Sequence, residues 1–333
     1  MRVGAPSPAV LIDERWSGEH GIGRYAREVL SRLQVPMRPM SVPGSPTSGL
    51  DAFRRPRDSR SGSVVYTPGY NCFRVVDQVV TVHDLIHLRT EWPMRAKYLA
   101  YYQGVLKPAI RRSGVVITVS ETSREAIREW LRDDDVEVVN AGIGCSEEFN
   151  TRGLWAEDGP PYALFVGNAR PHKNLITALN AVAAAPGMRM KAVVPAREQL
   201  AVADLAHRVG VGDRIDWLSG VSDEKMATLY RGASVTLVPS ILEGFGLPAL
   251  ESIKCGTPVA FWEGCSSVAE IVGTRGFAIS KWDDHLQLAE VMMECAESRI
   301  SVEPPSPGEY SWELAAESVS DVLSRQLDRA AQR

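Results

Sequence analysis

Residues 235–256 leave this chain few structural options. Val235-Thr236-Leu237-Val238 is a β-branched, apolar run of the kind buried inside a sheet. Gly244 and Gly246 follow, and glycine there lets the backbone turn sharply and approach a ligand with no Cβ in between. Pro248 stands where a first helical residue belongs, because its missing N–H would have no partner at that position. The helix then runs through Ala249-Leu250-Glu251-Ser252-Ile253-Lys254-Cys255 and stops at Gly256. First-turn N–H groups and the positive end of a helix thus face the loop, which suits an anion such as a diphosphate. Glu243 and Glu251 flank that loop. A carboxylate beside a phosphate is unfavourable unless it bonds elsewhere, and sugar or ribose hydroxyls are donors that fit. Either glutamate alone could simply be solvated or complement the helix dipole; the segment as a whole points to a ligand.

A chain of 333 residues exceeds one ordinary core and predicts two domains. Its 44% hydrophobic and 23% charged fractions are those of a water-soluble globular protein. A net charge of −4 argues against nucleic acid as a partner. No apolar run approaches the roughly 18 residues of a membrane span, and Met1-Arg2-Val3-Gly4-Ala5-Pro6 does not open a signal peptide. Cys72, Cys145, Cys255, Cys265 and Cys295 are odd in number and never spaced as C-x-x-C. That pattern predicts free thiols in a reducing cytoplasm, with neither disulfides nor a zinc site.

Strand and helix alternate along the whole chain. Ala9–Asp13 reads as a strand, followed by a glycine loop (Ser17-Gly18-Glu19-His20-Gly21-Ile22-Gly23-Arg24) and a helix over 25–33. Residues 36–63 read as a long, partly mobile loop around a short strand at Met40-Ser41-Val42, with a basic cluster of Arg54, Arg55, Arg57 and Arg60. Such a cluster is usually solvated; an anionic acceptor or a membrane surface is the alternative. Further strands are expected at Val64-Val65-Tyr66 and Val79-Val80-Thr81-Val82, the second ending in His83-Asp84-Leu85-Ile86-His87. Two histidines four apart suggest zinc, but the segment leaves a strand end and lacks the glutamate of that signature. His83 instead suits a ligand-facing strand end, and His87 a structural position. Residues 91–112 predict one or two helices with an aromatic face and a basic edge. Val115–Val119 and Val136–Val139 are strands, and Ser120 caps the helix between them. After a linker over 149–161 the rhythm restarts at Tyr162-Ala163-Leu164-Phe165-Val166, which ends in a loop carrying Arg170 and Lys173, two cations suited to a diphosphate. Two parallel sheets with helices on both faces follow, binding ligands at the strand carboxyl ends.

The Glu243 to Glu251 spacing, with Gly-Phe-Gly-Leu-Pro between, resembles the Glu-x7-Glu signature of family-4 retaining glycosyltransferases. The Gly-Ile-Gly-Arg-Tyr run at 21–25, the His83-Asp84 pair and Phe-Val-Gly-Asn-Ala-Arg-Pro-His-Lys-Asn-Leu at 165–175 are similar to that family's other motifs, in mannosyl- and rhamnosyltransferase-like form. One departure is Asn168, where many members carry arginine; Arg170 is the substitute at hand. The Ser266-Ser267 and Ser311-Trp312-Glu313 entries resemble later helices of the same enzymes.

The resemblance implies an α/β chain of GT-B fold, two Rossmann-like doubly wound domains facing a central cleft. Residues 1–155 would form the acceptor-binding domain and 156–310 the nucleotide-sugar domain, with a helix over 311–333 packing back on the first. It implies a cytoplasmic, metal-independent retaining hexosyltransferase with no cofactor, acting in polysaccharide or glycoconjugate synthesis. The donor would be a nucleotide-diphosphate sugar, GDP-mannose being favoured, and the acceptor a saccharide, lipid-linked or small-molecule hydroxyl, with peripheral contact to the inner membrane face left open. His83 and Glu243 would be catalytic. Gly21, Gly23, Arg170, Lys173, Glu243, Phe245, Gly246, Leu247 and Glu251 would bind the donor, Glu251 through the ribose. Two other readings stay open: a nucleotide-sugar epimerase of GT-B fold, and a non-catalytic GT-B binding subunit.

Overall fold

The computed structural model of the chain describes residues 8–18, 21–56, 59, 62–89, 95–155 and 159–332. Outside them lie the N-terminal Met1–Pro6 run, Glu19 and His20 of the first glycine loop, Arg57 and Arg60 of the basic cluster, Glu91 and Trp92 of the aromatic segment, and part of the linker.

Along the first part of the chain come β1 (Val10–Ile12), α1 (Gly21–Leu30), β2 (Met37–Pro39), β3 (Val64–Thr67) and β4 (Gln78–Val80). They are followed by α2 (Ile86–Arg89), α3 (Arg95–Tyr101), α4 (Lys107–Ser113), β5 (Val115–Thr118), α5 (Glu121–Leu131) and β6 (Glu137–Asn140). The second part contains β7 (Tyr162–Val166), α6 (Leu175–Ala184), β8 (Arg189–Val193), α7 (Ala196–Val209), β9 (Ile215–Leu218) and α8 (Asp223–Gly232). It continues with β10 (Val235–Val238), α9 (Leu247–Lys254), β11 (Val259–Trp262), α10 (Ser266–Val272), β12 (Gly276–Ile279) and α11 (His285–Ser298). A long helix, α12 (Trp312–Ala331), ends the described chain.

The chain divides into two compact units, Met1–Gly144 with Tyr310–Arg333, and Cys145–Glu309. In the first unit the strands run β2-β1-β3-β4, and the bridge between Thr81 and Ile117 carries the order on to β5-β6. In the second unit the six described strands run β12-β11-β10-β7-β8-β9. That is the dinucleotide-fold order, in which the chain starts at the centre, builds outward to one side, then returns and builds outward to the other. The pairing is parallel, so both sheet faces must be covered, and the strands are correspondingly apolar runs: β3, β5 and β10 are buried throughout.

Helix boundaries follow local chemistry. Ser120, Ser222, Asp284 and Ser311 accept backbone N–H bonds at the starts of α5, α8, α11 and α12. Helix α12 repeats its buried positions at Trp312, Ala315, Ala316, Val319, Val322 and Leu323, an amphipathic stripe that lies against α1 and β3.

Two sequence expectations are corrected, the start of α1 and the place of β2. Helix α1 begins at Gly21 rather than at residue 25. Gly21 and Gly23 therefore sit in its first turn, and Gly23 is required by close approach: a Cβ there would lie 2.5 Å from the Gly18 carbonyl oxygen. The strand expected at Met40-Ser41-Val42 lies instead at Met37–Pro39, because β1 ends at Ile12 and leaves nothing beyond to pair with. Met40 turns into a small core with Leu11, Val65 and Phe73. The loop over 36–63 also contains a 3-10 helix, Gly49–Phe53. Within the expected 91–112 helical run, a π-helical turn at Tyr102–Leu106 separates α3 from α4, just before Pro108. A proline inside a helix lacks the N–H for the preceding turn and crowds its carbonyl, so the turn widens.

Gly144 abuts Trp312, the first residue of α12, so closely that a Cβ would lie 2.3 Å from the indole Cγ and 2.4 Å from the Trp312 backbone nitrogen. Gly144→Ala is therefore expected to cost about 1–3 kcal/mol by overpacking, read as a lowered melting temperature of the first unit's transition. All five cysteines are free and buried. Burial pushes the thiols of Cys72, Cys255, Cys265 and Cys295 up to about 12, so they stay protonated and unreactive well into alkaline solution. A disulfide-exchange dye should label the native protein far more slowly than the unfolded one; rapid native labelling would contradict this packing.

Candidate functional site

The second unit's sheet builds its site at the break in strand order. β7 and β10 are adjacent, yet the chain leaves them toward opposite sides, so their carboxyl-end loops diverge and open a crevice. After β7 come Gly167-Asn168-Ala169-Arg170 and a 3-10 turn, Pro171–Lys173. After β10 come residues 239–246, which enter α9 through Gly246 at φ +111°, a left-handed conformation suited to glycine. Pro248 is thus the second rather than the first residue of α9.

The two loops are stitched together. The Ile241 N–H donates to the His172 carbonyl at 2.7 Å. Asn174, itself in a left-handed conformation, donates from Nδ2 to the carbonyls of Pro239 at 3.1 Å and Trp282 at 2.6 Å. Ser267, in α10, donates to the main-chain oxygen of Glu243 at 2.9 Å.

On this frame Lys173 and Glu243, 70 positions apart in sequence, form a two-pronged ion pair. Lys173 Nζ stands 2.6 Å from one carboxylate oxygen and 2.8 Å from the other. Their side chains are 17% and 10% exposed, so the pair is screened from bulk water yet open to a ligand. Three N–H bonds are available to an ammonium, so the pair does not exhaust the cation. Phe245 and Gly246 are buried in the loop, and Leu247 opens α9.

Glu251 lies in α9 at 5% exposure and accepts a 2.9 Å bond from the hydroxyl of Tyr230 on α8. Burial, followed by the field of Glu251, raises the Tyr230 hydroxyl well above its ordinary range, so it stays a neutral donor. Arg170 is exposed, and its N–H donates to Asn168 Oδ1 at 3.2 Å. The neighbouring Ala169 N–H donates to Glu198 at 2.7 Å.

The first unit holds the remaining sequence candidates. His83 follows β4, and its Nε2 stands 2.9 Å from the Pro68 carbonyl oxygen. A carbonyl can only accept, so Nε2 carries the hydrogen of this bond. The ring meets Tyr25 edge-on, with centroids 4.8 Å apart, and Tyr25 in turn meets Trp312 at 6.3 Å. Burial pushes the Tyr25 hydroxyl up to about 12, against the effect of Tyr66 and Thr81 beside it, so His83 faces a neutral phenol. His87 lies in α2 against Tyr98 and Tyr70. Among the described residues no group of three or more His, Cys, Asp or Glu side chains is arranged to hold a metal ion.

Sequence reasoning singled out Lys173, Glu243 and Glu251 but missed Tyr230, Asn174 and Glu198, which hold them or their loop. Nothing local marks Tyr230; Ser267 was visible only as part of the Ser-Ser motif.

Comparison with known proteins gives this geometry a context. Residues 147–303 match the family model described as Glycosyl transferases group 1. Over 223 residues the chain is 30% identical to the O-antigen chain mannosyltransferase B of Escherichia coli, covering 61% of this chain and 57% of that protein. It is 34% identical over 174 residues to the D-inositol 3-phosphate glycosyltransferase of Mycolicibacterium smegmatis, covering 49% and 40% respectively. The chain thus spans about half the length of these curated relatives. Among solved structures, the sucrose-phosphate synthase of Thermosynechococcus elongatus superposes with a TM-score of 0.65 at 18% identity, covering 98% of both chains. WaaG, a glycosyltransferase involved in lipopolysaccharide biosynthesis, gives 0.64 at 16% identity over 97% of this chain and 98% of that one. The chain has the GT-B fold, and the match to the Glycosyl transferases group 1 model falls within its second unit.

Lys173→Met leaves a largely buried carboxylate without its cation and is expected to cost about 1.5–3 kcal/mol. Adding Glu243→Gln should restore part of that loss. A double-mutant cycle on thermal or urea unfolding measures the coupling, and strict additivity would mean that the pair does not form.

Proposed function

We propose that this protein transfers a hexose from a nucleotide-diphosphate sugar to a hydroxyl acceptor with retention of anomeric configuration. The observation that carries the reading is the joined Lys173–Glu243 pair at the β7/β10 break, beside the N-terminus of α9 and the buried Glu251. The group 1 match over the same unit supports it.

In this reading the diphosphate lies against the backbone N–H groups of Phe245, Gly246 and Leu247, where the helix end favours negative charge. Lys173, held in place by Glu243, places its remaining N–H toward the leaving group. Arg170 is the second cation, in the role that an arginine at 168 would otherwise fill. As the bond from the anomeric carbon to the phosphate oxygen breaks, charge grows on that oxygen, and fixed cations lower the barrier most at this point. The acceptor oxygen bonds to the anomeric carbon on the face the phosphate leaves, and its proton passes to the departing diphosphate. Glu243 orients the sugar hydroxyls, while Glu251, one oxygen fixed by Tyr230, accepts from the ribose. His83 is the first unit's candidate for contact with a sugar hydroxyl. Gly21 and Gly23, in the first turn of α1, are the first unit's donor-binding candidates. These side chains would supply the stabilisation without a metal. The donor favoured by the motif wording is GDP-mannose, and the relative from Escherichia coli, a mannosyltransferase by name, agrees with that choice.

A ligand that binds only the folded state raises the melting temperature with concentration. Titration with GDP, UDP, dTDP and their sugars should produce a selective shift for one base. Lys173→Met should lower turnover of that donor on the order of a hundredfold, and proton NMR of the product should show the donor's anomeric configuration. Glu243→Ala with full transferase activity would overturn the assignment. Donor consumption without an acceptor, yielding an epimer, or binding without turnover would replace it with the epimerase or binding-subunit reading.

A further inference from the structure

Asn174 departs from two local rules at once. It stands at the N-cap of α6, where an asparagine side chain ordinarily accepts a bond from a first-turn N–H, yet its side chain makes no capping bond. Its backbone is left-handed, at φ 55° and ψ 40°, where an N-cap residue is ordinarily extended. Of the other described non-glycine residues with positive φ, Arg132 and Arg299 close α5 and α11, the helix end at which such a turn is common. Asn174 opens a helix instead. Asparagine tolerates the left-handed region better than most residues, but a local rule given up at a buried position needs a compensating contact.

That contact is made by the carboxamide of a residue only 3% exposed. Nδ2 donates to the carbonyl of Pro239, directly after β10, and to that of Trp282, just beyond β12. Oδ1 accepts from the Thr177 hydroxyl at 2.9 Å, which fixes the amide so that its nitrogen faces the two carbonyls. Two hydrogens meet two acceptors, and the nitrogen is fully used. Strand β12 lies two places beyond β10 in the sheet, so one side chain gathers loops from three strands.

The position of this bridge matters for the ion pair. Lys173 immediately precedes Asn174, and Pro239 stands four residues before Glu243. A lysine stem is long and flexible, so Nζ stays on both carboxylate oxygens only where the two backbones are held at a fixed separation. The bond from the Ile241 N–H to the His172 carbonyl contributes to that separation, and the Asn174 amide ties it to a third loop.

We infer that Asn174 is a positioning residue for sugar transfer, holding the β7 and β10 loops at the spacing that keeps Lys173 on Glu243 and aimed at the leaving diphosphate. The catalytic part of this role rests on the glycosyl-transfer reading; the bridge does not.

Two variants of the full chain test it. Asn174→Gly keeps the left-handed turn and removes all three side-chain bonds. Asn174→Asp keeps the shape and the Thr177 bond but turns an acceptor toward two carbonyls. In both, kcat should fall on the order of tenfold or more while the donor KM changes less than about threefold, because the misplaced cation counts in the transition state. The second readout is acylation of Lys173 by acetyl N-hydroxysuccinimide in the native protein, without donor or acceptor, followed by peptide mass spectrometry. Lys173 should react slowly in the wild type, faster in Glu243→Gln, and faster again than wild type in both Asn174 variants. A role in stability alone would lower the melting temperature and leave Lys173 as protected as in the wild type. Full kcat, a raised KM at unchanged kcat, or wild-type protection of Lys173 in either folded variant overturns the inference; if Asn174→Gly does not fold, Asn174→Asp decides. A wild-type chain inactive with every sugar nucleotide overturns the transfer reading instead, and Lys173 acylation then decides whether the amide sets the pair.

Discussion

Parallel strand pairing is the constraint from which the rest of this molecule follows. Two parallel strands cannot be joined by a tight turn, so each connection crosses the sheet, usually through a helix, and both sheet faces end up covered. Strands such as β7 and β10 are consequently covered on both faces, with no open side to offer a ligand. Chemistry is displaced to the loops at the carboxyl ends. In the second unit the strand order separates two of those loops, and Lys173 and Glu243 close across the gap.

Much of this was legible in the residues because the signals are local. β-Branched runs marked the strands, serines marked the starts of α5 and α12, and the Gly-Phe-Gly-Leu-Pro wording marked the turn into α9. Where local signals are ambiguous, the reading slipped. A glycine can mean a loop or a close approach, and Gly23 is the second, so α1 starts earlier than the glycine pattern suggested. The apolar Met40-Ser41-Val42 run looks like a strand, but only β1 could say where pairing ends. Contacts between distant segments left no trace at all. Tyr230 reaches Glu251 only because α8 packs beside α9, and Asn174 reaches the carbonyl of Trp282, 108 positions away.

The molecule satisfies its buried carboxylates in two ways. Glu251 receives the neutral phenol of Tyr230, which fixes one of its two oxygens. Asp13 and Asp51 receive a shared guanidinium, which consumes their charge and turns it into rigidity. A carboxylate held by a hydroxyl can still recognise other hydroxyls, whereas one held by two forks of an arginine serves as an anchor. The same kind of acid is thus held in two different ways, and the partner sets which.

The return of α12 to the first unit has a consequence for the order of assembly. The second unit, Cys145–Glu309, is one unbroken stretch of chain, while the first is made of two stretches that flank it. Helix α12 supplies Trp312 against Gly144, Glu313 to Arg32 at 3.0 Å and Ser320 to the Gln34 backbone at 3.0 Å. On a ribosome the N-terminal sheet therefore emerges first but is finished last, its α1 face uncovered while the whole of the second unit is being made. Domains fold as units once their residues are available. The first stretch of this unit thus stays incompletely packed until α12, beyond the whole of the second unit, has been made.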